Sequence, residues 1–351
     1  MLLFIVSATI FMIALVMIVY PARRGAGMGR TVEFEIGEHE SFSRVVQRLK
    51  SRGMVEHPML FSLYARLLGA DERLRVGTVM LSDEMSPREV VQRVAFGFGD
   101  ASVIVLIPEG FHQFDVAARL NRWGVTSERE FLEASADPEL LRELEISAPS
   151  AEGYLFPDTY RLRENMDPRE VVRRMVANHR RRVAPLLSEH ASSLSTLERE
   201  LGWGPHQALI LASIVEKEAA VHDERPIIAR VFLNRLLDPM FRPHRLDADP
   251  TVSYGCRIFP WTAPSCENFR GRISRAMTHD SANPYNTYRI EYLPPGPISN
   301  PGLDALRAVL MPAEHDYYFF VARGGGRHSF SRTMGEHQRA TAAAREARTE
   351  R

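Results

Sequence analysis

Cysteine is almost missing from this chain, with two residues among 351. Cys256 and Cys266 cannot by themselves furnish a four-ligand zinc site, and no other metal or cofactor is called for. Net charge is missing too: 44 basic side chains balance 44 acidic ones, which removes the broad electrostatic case for a nucleic-acid partner. The one local basic face, Arg173, Arg174, Arg180, Arg181 and Arg182, falls on a predicted helix and reads most simply as a solvated surface. No repeat of fixed period is visible. Gly324, Gly325 and Gly326 are not followed by the Lys and Ser/Thr of a phosphate loop. Hydrophobic residues at 45% and charged residues at 25% exclude global disorder, and the length suits two soluble units.

What is present begins with an uncharged apolar run, Met1 to Tyr20. As a helix rising about 1.5 Å per residue it would span roughly 30 Å of hydrocarbon. It reads as a single-pass transmembrane anchor over 1–21. A cleaved signal peptide is the rival, opposed by the length of the run and by the lack of a basic segment ahead of it. Arg23, Arg24 and Arg30 follow in a linker, 22–30, and the positive-inside rule alone would keep the remainder in the cytoplasm. The motifs below place it on the other side.

From 31 to 100 the pattern predicts a small unit. Val32, Phe34 and Ile36 alternate as in a half-buried strand; Ser41 caps a helix ended by Gly53; Pro58 opens a second helix through Leu68; Gly77 to Leu81 return as a strand. Ser86, Pro87 and Glu89 then form a capping box ahead of Val90, Val91 and Val94. The larger unit, 101–340, starts at Ser102 to Ile107, a continuous apolar run read as a buried strand. Helices then dominate to Leu236, one of them capped by Asp167 and Glu170, and loops follow beyond Asp247. Tyr317 to Ala322, the three glycines and the segment after them predict a hairpin, and 341–351 a fraying helical tail.

The chemistry is carried by Gln207 to Val221, a strong helix pattern with two glutamates two positions apart. At about 100° per residue, Glu218 falls roughly 20° from Leu211, between Ile214 and Val215, whereas Glu216 falls roughly 140° away, toward the polar side. A carboxyl held against apolar groups resists ionisation, which is what a general acid near neutral pH requires. The bland alternative is a solvated Glu-Lys-Glu surface. Asp223 can cap the next helix, with Pro226 in its first turn. Beyond it lie the segments Asp247 to Gly255, Asn283 to Tyr288 and Leu293 to Gly302, where amides, hydroxyls and tyrosines are interleaved with prolines. That composition suits a sugar cleft, and a rigid structural loop equally. Cys256 and Cys266 flank a tight excursion in which an oxidising compartment allows a disulfide; two unrelated thiols are the alternative.

Together these segments resemble the MltG (YceG-like) family of endolytic murein transglycosylases. The pieces are IPEG (Ile107 to Gly110), EGYLFPDTY (Glu152 to Tyr160), ASIVEKEA (Ala212 to Ala219), ERPIIARVFLNRL, DPTVSYG, NPYNTY, LPPGPISNPG and HSFSRTMGEH (His328 to His337). They stand in the family's order over nearly the whole chain, Thr31 to Gln338. The resemblance implies an α+β architecture: an inner-membrane anchor, a LysM-like N-terminal β-α-α-β unit and a YceG-like catalytic domain with a lysozyme-like active-site helix. The catalytic domain would lie on the periplasmic, extracytoplasmic side, beside the cell-wall synthases. Glu218 is the implied catalytic residue, with Ser213, Asp249, Thr251, Tyr254, Tyr285, Asn286, Thr287, Tyr288, Asn300 and His328 as candidates for substrate binding. Two departures stand out: Asp247 and Ala248 replace the family's usual Gln and Ser/Thr, and the loop between the cysteines is longer than usual, as in a disulfide-stapled rim.

The implied substrate is the β-1,4 bond between N-acetylmuramic acid and N-acetylglucosamine in nascent glycan strands, cut with formation of a 1,6-anhydro end and so ending elongation. The sugar supplies the nucleophile, so one carboxyl suffices where ordinary glycosidases need two. A hydrolytic muramidase using Asp247 or Asp249 is the first rival, and a noncatalytic peptidoglycan-binding scaffold the second. An older label for the family, aminodeoxychorismate lyase, would need a lysine for pyridoxal phosphate, and Lys217 sits off the apolar face.

Overall fold

A computed structural model of the chain describes residues 19–349, apart from 23, 24, 26, 28, 39, 75 and 96–101. The expected membrane span lies almost wholly outside the described residues, among which no helix is long and apolar enough to cross a membrane. The fold is mixed α+β and divides into two compact units.

The first unit comprises residues up to Val105 together with Ala118–Glu128 and Tyr160–Met166. Strands β1 (Thr31–Ile36) and β2 (Gly77–Ser82) pair antiparallel, with Phe34 opposite Val79 and Val32 opposite Leu81. Period-2 alternation puts these side chains on one face. That face packs with Phe42, Val45, Val46 and Leu49 of α1 (Phe42–Ser51), with α2 (Pro58–Leu67), and with Val90, Val91 and Val94 of α3 (Pro87–Ala95). The α3 capping box forms as expected: the Ser86 N–H donates to Glu89 Oε2 at 2.7 Å, and the Glu89 N–H donates to Ser86 Oγ at 3.4 Å.

The boundary expected at residues 100 and 101 is not a single point. Arg93 on α3 is buried and pairs with Glu164 at 2.9 Å, while its guanidinium also donates to the carbonyls of Met80 and, at 3.1 Å, Trp123. One buried cation thus gathers both later segments, because its charge is tolerable only where all its donors find acceptors. Strand β3 (Ser102–Leu106) pairs with β4 (Thr159–Arg163) in a sheet of two strands. The expectation of a fully buried β3 is corrected: Val105 is buried, but Ile104 and Leu106 are more than half exposed.

In the second unit, α4 (Gln113–Arg122), α5 (Glu128–Ser135) and α6 (Pro138–Glu143) lead to α7 (Pro168–Glu189), capped by Asp167. The arginines of α7 are spoken for: Arg173 pairs with Glu143, Arg174 with Glu170, Arg180 with Glu145 and Arg182 with Asp158, and Arg181 donates to Asn178. Helices α8 (Ala191–Leu201), α9 (Pro205–Glu218) and α10 (Arg225–Leu237) follow. Asp223 does not cap α10; it pairs with Arg327 at 3.0 Å, and α10 begins after a short 3-10 turn. Every residue of α9 from Ala208 to Val215 is buried, as in a helix apolar on all sides, and it packs against α10 and α13 (Leu303–Leu310). Between them lie α11 (Asp249–Ile258) and the short α12 (Arg275–His279). The expected hairpin is β5 (Phe319–Gly324) with β6 (Arg327–Ser331), and α14 (Met334–Thr349) absorbs most of the expected tail.

Cys256 and Cys266 are bonded, with Cα atoms 5.0 Å apart, and Val252, Ala263 and Met277 pack around them. Gly255 leaves room for the buried amide of Asn283, since a Cβ there would fall 1.9 Å from its oxygen. The bond closes a loop across 10 positions, so Cys256→Ser/Cys266→Ser, or reduction, removes a constraint on the unfolded chain. The expected loss is about 2–3 kcal/mol, read by urea denaturation of oxidised and reduced protein.

Candidate active site

Glu218 is the last residue of α9; the Ala219 N–H still donates to the Val215 carbonyl at 2.9 Å, but the Ala219 backbone is extended and the helix stops. A carboxylate there faces the negative end of the helix dipole. The side chain opens on a cleft of about 380 Å³, lined also by Arg235, Asp247, Asp249, Tyr288, residues 319–322 of β5, His328, Met334 and His337. Its surface is partly exposed to this cleft, yet protein surrounds the carboxyl as in an interior. Burial pushes its pKa up to about 8, with Asp249 adding to the rise and Arg235 opposing it. Among the described residues no group donates a hydrogen bond to the carboxyl.

Glu216, two positions earlier on the chain, has the opposite fate. Its side chain is 6% exposed and paired with Arg225 at 2.7 Å, and it accepts from the Gly302 N–H at 3.2 Å. The expectation that Glu216 faces a polar side is therefore corrected: α9 has no solvated side there, and α10 supplies a cation instead. Lys217 donates to the Gly110 carbonyl at 3.0 Å.

Asp249 is the first residue of α11, where a helix N-terminus favours an anion, and it accepts from the Tyr288 hydroxyl at 2.7 Å. Burial first, then this bond and the surrounding carboxyls, raise the Tyr288 pKa, so the tyrosine remains a donor. His328 on β6 is fixed through its backbone N–H and Nδ1, 2.7 Å from Glu224. Arg235 lies buried on α10 and donates to the carbonyls of Tyr318, at 2.6 Å, and Leu246, tying the hairpin to the loop that carries Asp247. Asp247 adopts φ 50°, a left-handed backbone that Asp tolerates better than most residues. Burial raises its pKa against the pull of Arg235 and Arg245.

Four sequence candidates thus meet at the cleft: Glu218, Asp249, Tyr288 and His328. The others are buried and do not line it. Ser213 donates to Ile210 and accepts from the Ile298 N–H; Thr251 and Thr287 bond each other at 2.8 Å beside the Ala248 backbone. Asn286 donates to the carbonyls of Met277, Thr278 and Asp280. Tyr285 packs on Tyr254. Arg235, the β5 face and His337 were missed; they come from elements distant in sequence, and a hairpin strand carries no chemical signal of its own.

A second raised carboxyl was also missed, although it stands in the EGYLFPDTY segment. Glu152 is buried and accepts from the Gln113 N–H at 2.8 Å, the Tyr254 hydroxyl at 3.0 Å and the Asn300 amide at 2.8 Å. Burial pushes it to about 8 against these donors. Asn300 is itself fixed, accepting from the Leu155 N–H and donating to the Phe111 carbonyl. This knot holds loops together and touches no cleft residue named above. Glu152→Gln would set an amide N–H against one of the three donors; thermal melts should show a loss of about 1–3 kcal/mol, with the pH profile of activity unmoved.

Residues 34–343 match the family model described as the YceG-like family. The chain is 26% identical over 326 residues to the endolytic murein transglycosylase of Bacillus subtilis (strain 168), covering 88% of this chain and 84% of that protein. A Streptococcus pneumoniae (serotype 2, strain D39) protein of the same name is 26% identical over 323 residues; the match takes in 85% of this chain but about half, 55%, of the streptococcal one. Among solved structures, a YceG-like protein from Listeria monocytogenes superposes with a TM-score of 0.56 at 27% identity, over 88% of this chain and 99% of that one. With a match running through both units and the cleft residues alike, the chain belongs to the YceG-like family.

Proposed function

We propose that the chain is an endolytic lytic transglycosylase of peptidoglycan that cuts the N-acetylmuramic acid to N-acetylglucosamine β-1,4 bond. The observation that carries this reading is one carboxyl, Glu218, that opens on a cleft, accepts no hydrogen bond among the described residues and has its pKa pushed up to about 8. At neutral pH it holds a proton to give to the leaving O4 as the bond from muramyl C1 breaks. The resulting carboxylate takes the proton of the same sugar's 6-hydroxyl, whose oxygen bonds to C1. The acid is regenerated, no water is consumed, and the product carries a 1,6-anhydro ring. The negative charge of Asp249, steadied by Tyr288, suits the positive charge developing at C1. In the cell this reaction would end the growth of nascent strands beside the synthases.

The relatives' shared name and the match through the cleft support this reading. Asp247 and Asp249 in the same cleft keep one rival in view, hydrolysis with a second carboxylate. Mass spectrometry of digested peptidoglycan separates the two: anhydro ends are expected, and reducing ends would overturn the transglycosylase. Glu218→Gln should lower kcat by roughly 10²–10⁴-fold or more. For the wild type, kcat/KM should fall about tenfold per pH unit above about 8, as the acid is lost. Because the folded pKa is raised above the ordinary 4.5, folded stability falls as pH climbs from there toward 8. Glu218→Gln escapes that loss and should gain on the order of 1 kcal/mol at pH 7.

We further propose that residues 1–21 anchor the chain in the inner membrane, with the cleft outside and the LysM-like unit next to the bilayer. Support comes from α2. At 100° per residue, Met59, Leu60, Leu63 and Leu67 share one arc of it, and Met59, Leu63 and Leu67 are 86%, 45% and 52% exposed. The buried arc of the same helix meets Tyr20, the end of the apolar run: its ring lies edge-on to Tyr64 at 6.3 Å and its hydroxyl donates to the His57 carbonyl. An apolar stripe beside the emerging anchor suits the lipid interface. A nitroxide at Leu63→Cys, in full-length protein in liposomes, should be more accessible to oxygen than to a water-soluble nickel relaxant; the accessibility of a water-exposed site would overturn the placement.

A further inference from the structure

Beside the cleft of Glu218 lies a second cavity of about 380 Å³, and Asp249 lines both. Lys217, next in sequence to Glu218, and Arg257 of α11 line it, together with Phe269, Gly271 and Ile273 from the segment that follows the disulfide loop. That segment is strongly basic. Arg270 and Arg272 flank Gly271, Arg275 opens α12, and Glu267 is the one acidic residue from 257 to 275. All four arginines and Lys217 are exposed. Among the described residues none of these five cations forms an ion pair with a carboxylate, whereas the basic face of α7 is neutralised by its own partners.

A chain with no net charge has carboxylates enough to pair these groups, yet Lys217 and Arg257 line one cavity without an ion pair among the described residues, and Arg270 and Arg272 flank Gly271 of its lining. Like charges so placed repel one another and lower the cost of bringing in an anion. The cavity is also ready in shape. Lys217 donates to the Gly110 carbonyl, and the segment lining the cavity runs between two fixed points, Cys266 in the disulfide and Asp280, which accepts from the Ser265 N–H at 3.0 Å. Apolar Phe269 and Ile273 give it a floor for aliphatic groups between the charges.

We propose that this cavity is a subsite for an anionic substituent of the glycan strand, namely the carboxylates of the peptide stem on a muramyl residue next to the cut bond. The assignment rests on the transglycosylase reading above. In a stem-bearing strand the lactyl carboxyl of each muramyl sugar is tied up as the amide that holds the stem, so the charge comes from the stem carboxylates along the strand or from the pyrophosphate at the end of a lipid-linked strand. Stems recur at every muramyl residue, and a subsite adjoining an internal cleft meets them wherever the strand is cut. Arg257, which lines the cavity, and Arg272, next in sequence to its lining residue Gly271, would bind the carboxylates by charge-assisted hydrogen bonds, which sets a preference for stem-bearing over bare glycan.

The experiment compares kcat/KM on three purified substrates: strands with stems, strands stripped of stems by an amidase with the freed lactyl carboxylates capped as methylamides, and stripped, capped strands that keep their terminal lipid pyrophosphate. Wild-type protein should prefer stem-bearing strands by roughly tenfold or more, and Arg257→Gln/Arg272→Gln should bring that ratio toward one, chiefly through KM. Both positions are exposed, and a matching melting curve certifies the fold. A wild-type ratio near one, or a ratio unchanged in the variant, overturns the subsite. A preference that follows the pyrophosphate overturns the stem as its source. Failure of wild-type protein to cut any of the three strikes the transglycosylase reading instead.

Discussion

An unpaired carboxyl at the end of a buried helix is the constraint around which the second unit is arranged. Helix α9 is buried on every face from Ala208 to Val215, so the two glutamates in its last turn must be dealt with by the protein. Glu216 is neutralised by Arg225 and held by the Gly302 backbone; Glu218 is left without a donor and given a cleft. Leaving a polar group unsatisfied costs stability, and here burial raises the pKa with no donor to offset it among the described residues. Glu152 makes the comparison sharp. It has a similarly raised pKa but three donors and no opening, so it serves the architecture.

Much of the first unit was legible because its signals are local. Alternation at Phe34 and Ile36, the capping box at Ser86 and the valines of α3 each act within a few residues, and the elements fall where they were expected. The domain boundary was not legible, because it depends on Arg93 meeting Glu164, 71 positions away, and no local pattern announces such a pair. The strand β3 was misjudged for a related reason. An apolar run says what a strand can bury, while the number of neighbouring strands decides how much it does.

At the site, helical geometry singled out Glu218, the α9 carboxyl that opens on the cleft, on a premise that was only half right. The stripe was real, but the polar side it implied for Glu216 does not exist, since Arg225 comes from the next helix. The amide-rich and hydroxyl-rich segments were ambiguous between cleft and rigid loop, and both answers hold in different places. Asp249 and Tyr288 line the cleft, whereas Asn286 spends its amide on three loop carbonyls and Thr251 and Thr287 satisfy each other. Irregular backbone needs such side chains wherever it is buried, because its own ladder is missing.

The Arg93 and Glu164 pair also bears on how the protein comes apart. The chain passes between its two units at 105/106, 117/118, 128/129, 159/160 and 166/167. A protease nicking the backbone between 106 and 159 therefore yields two pieces that each hold part of both units. Neither piece leaves until buried charge is pulled from its partner, so the scissile event and the dissociation event are separate, and the nicked molecule persists on the strength of its interior.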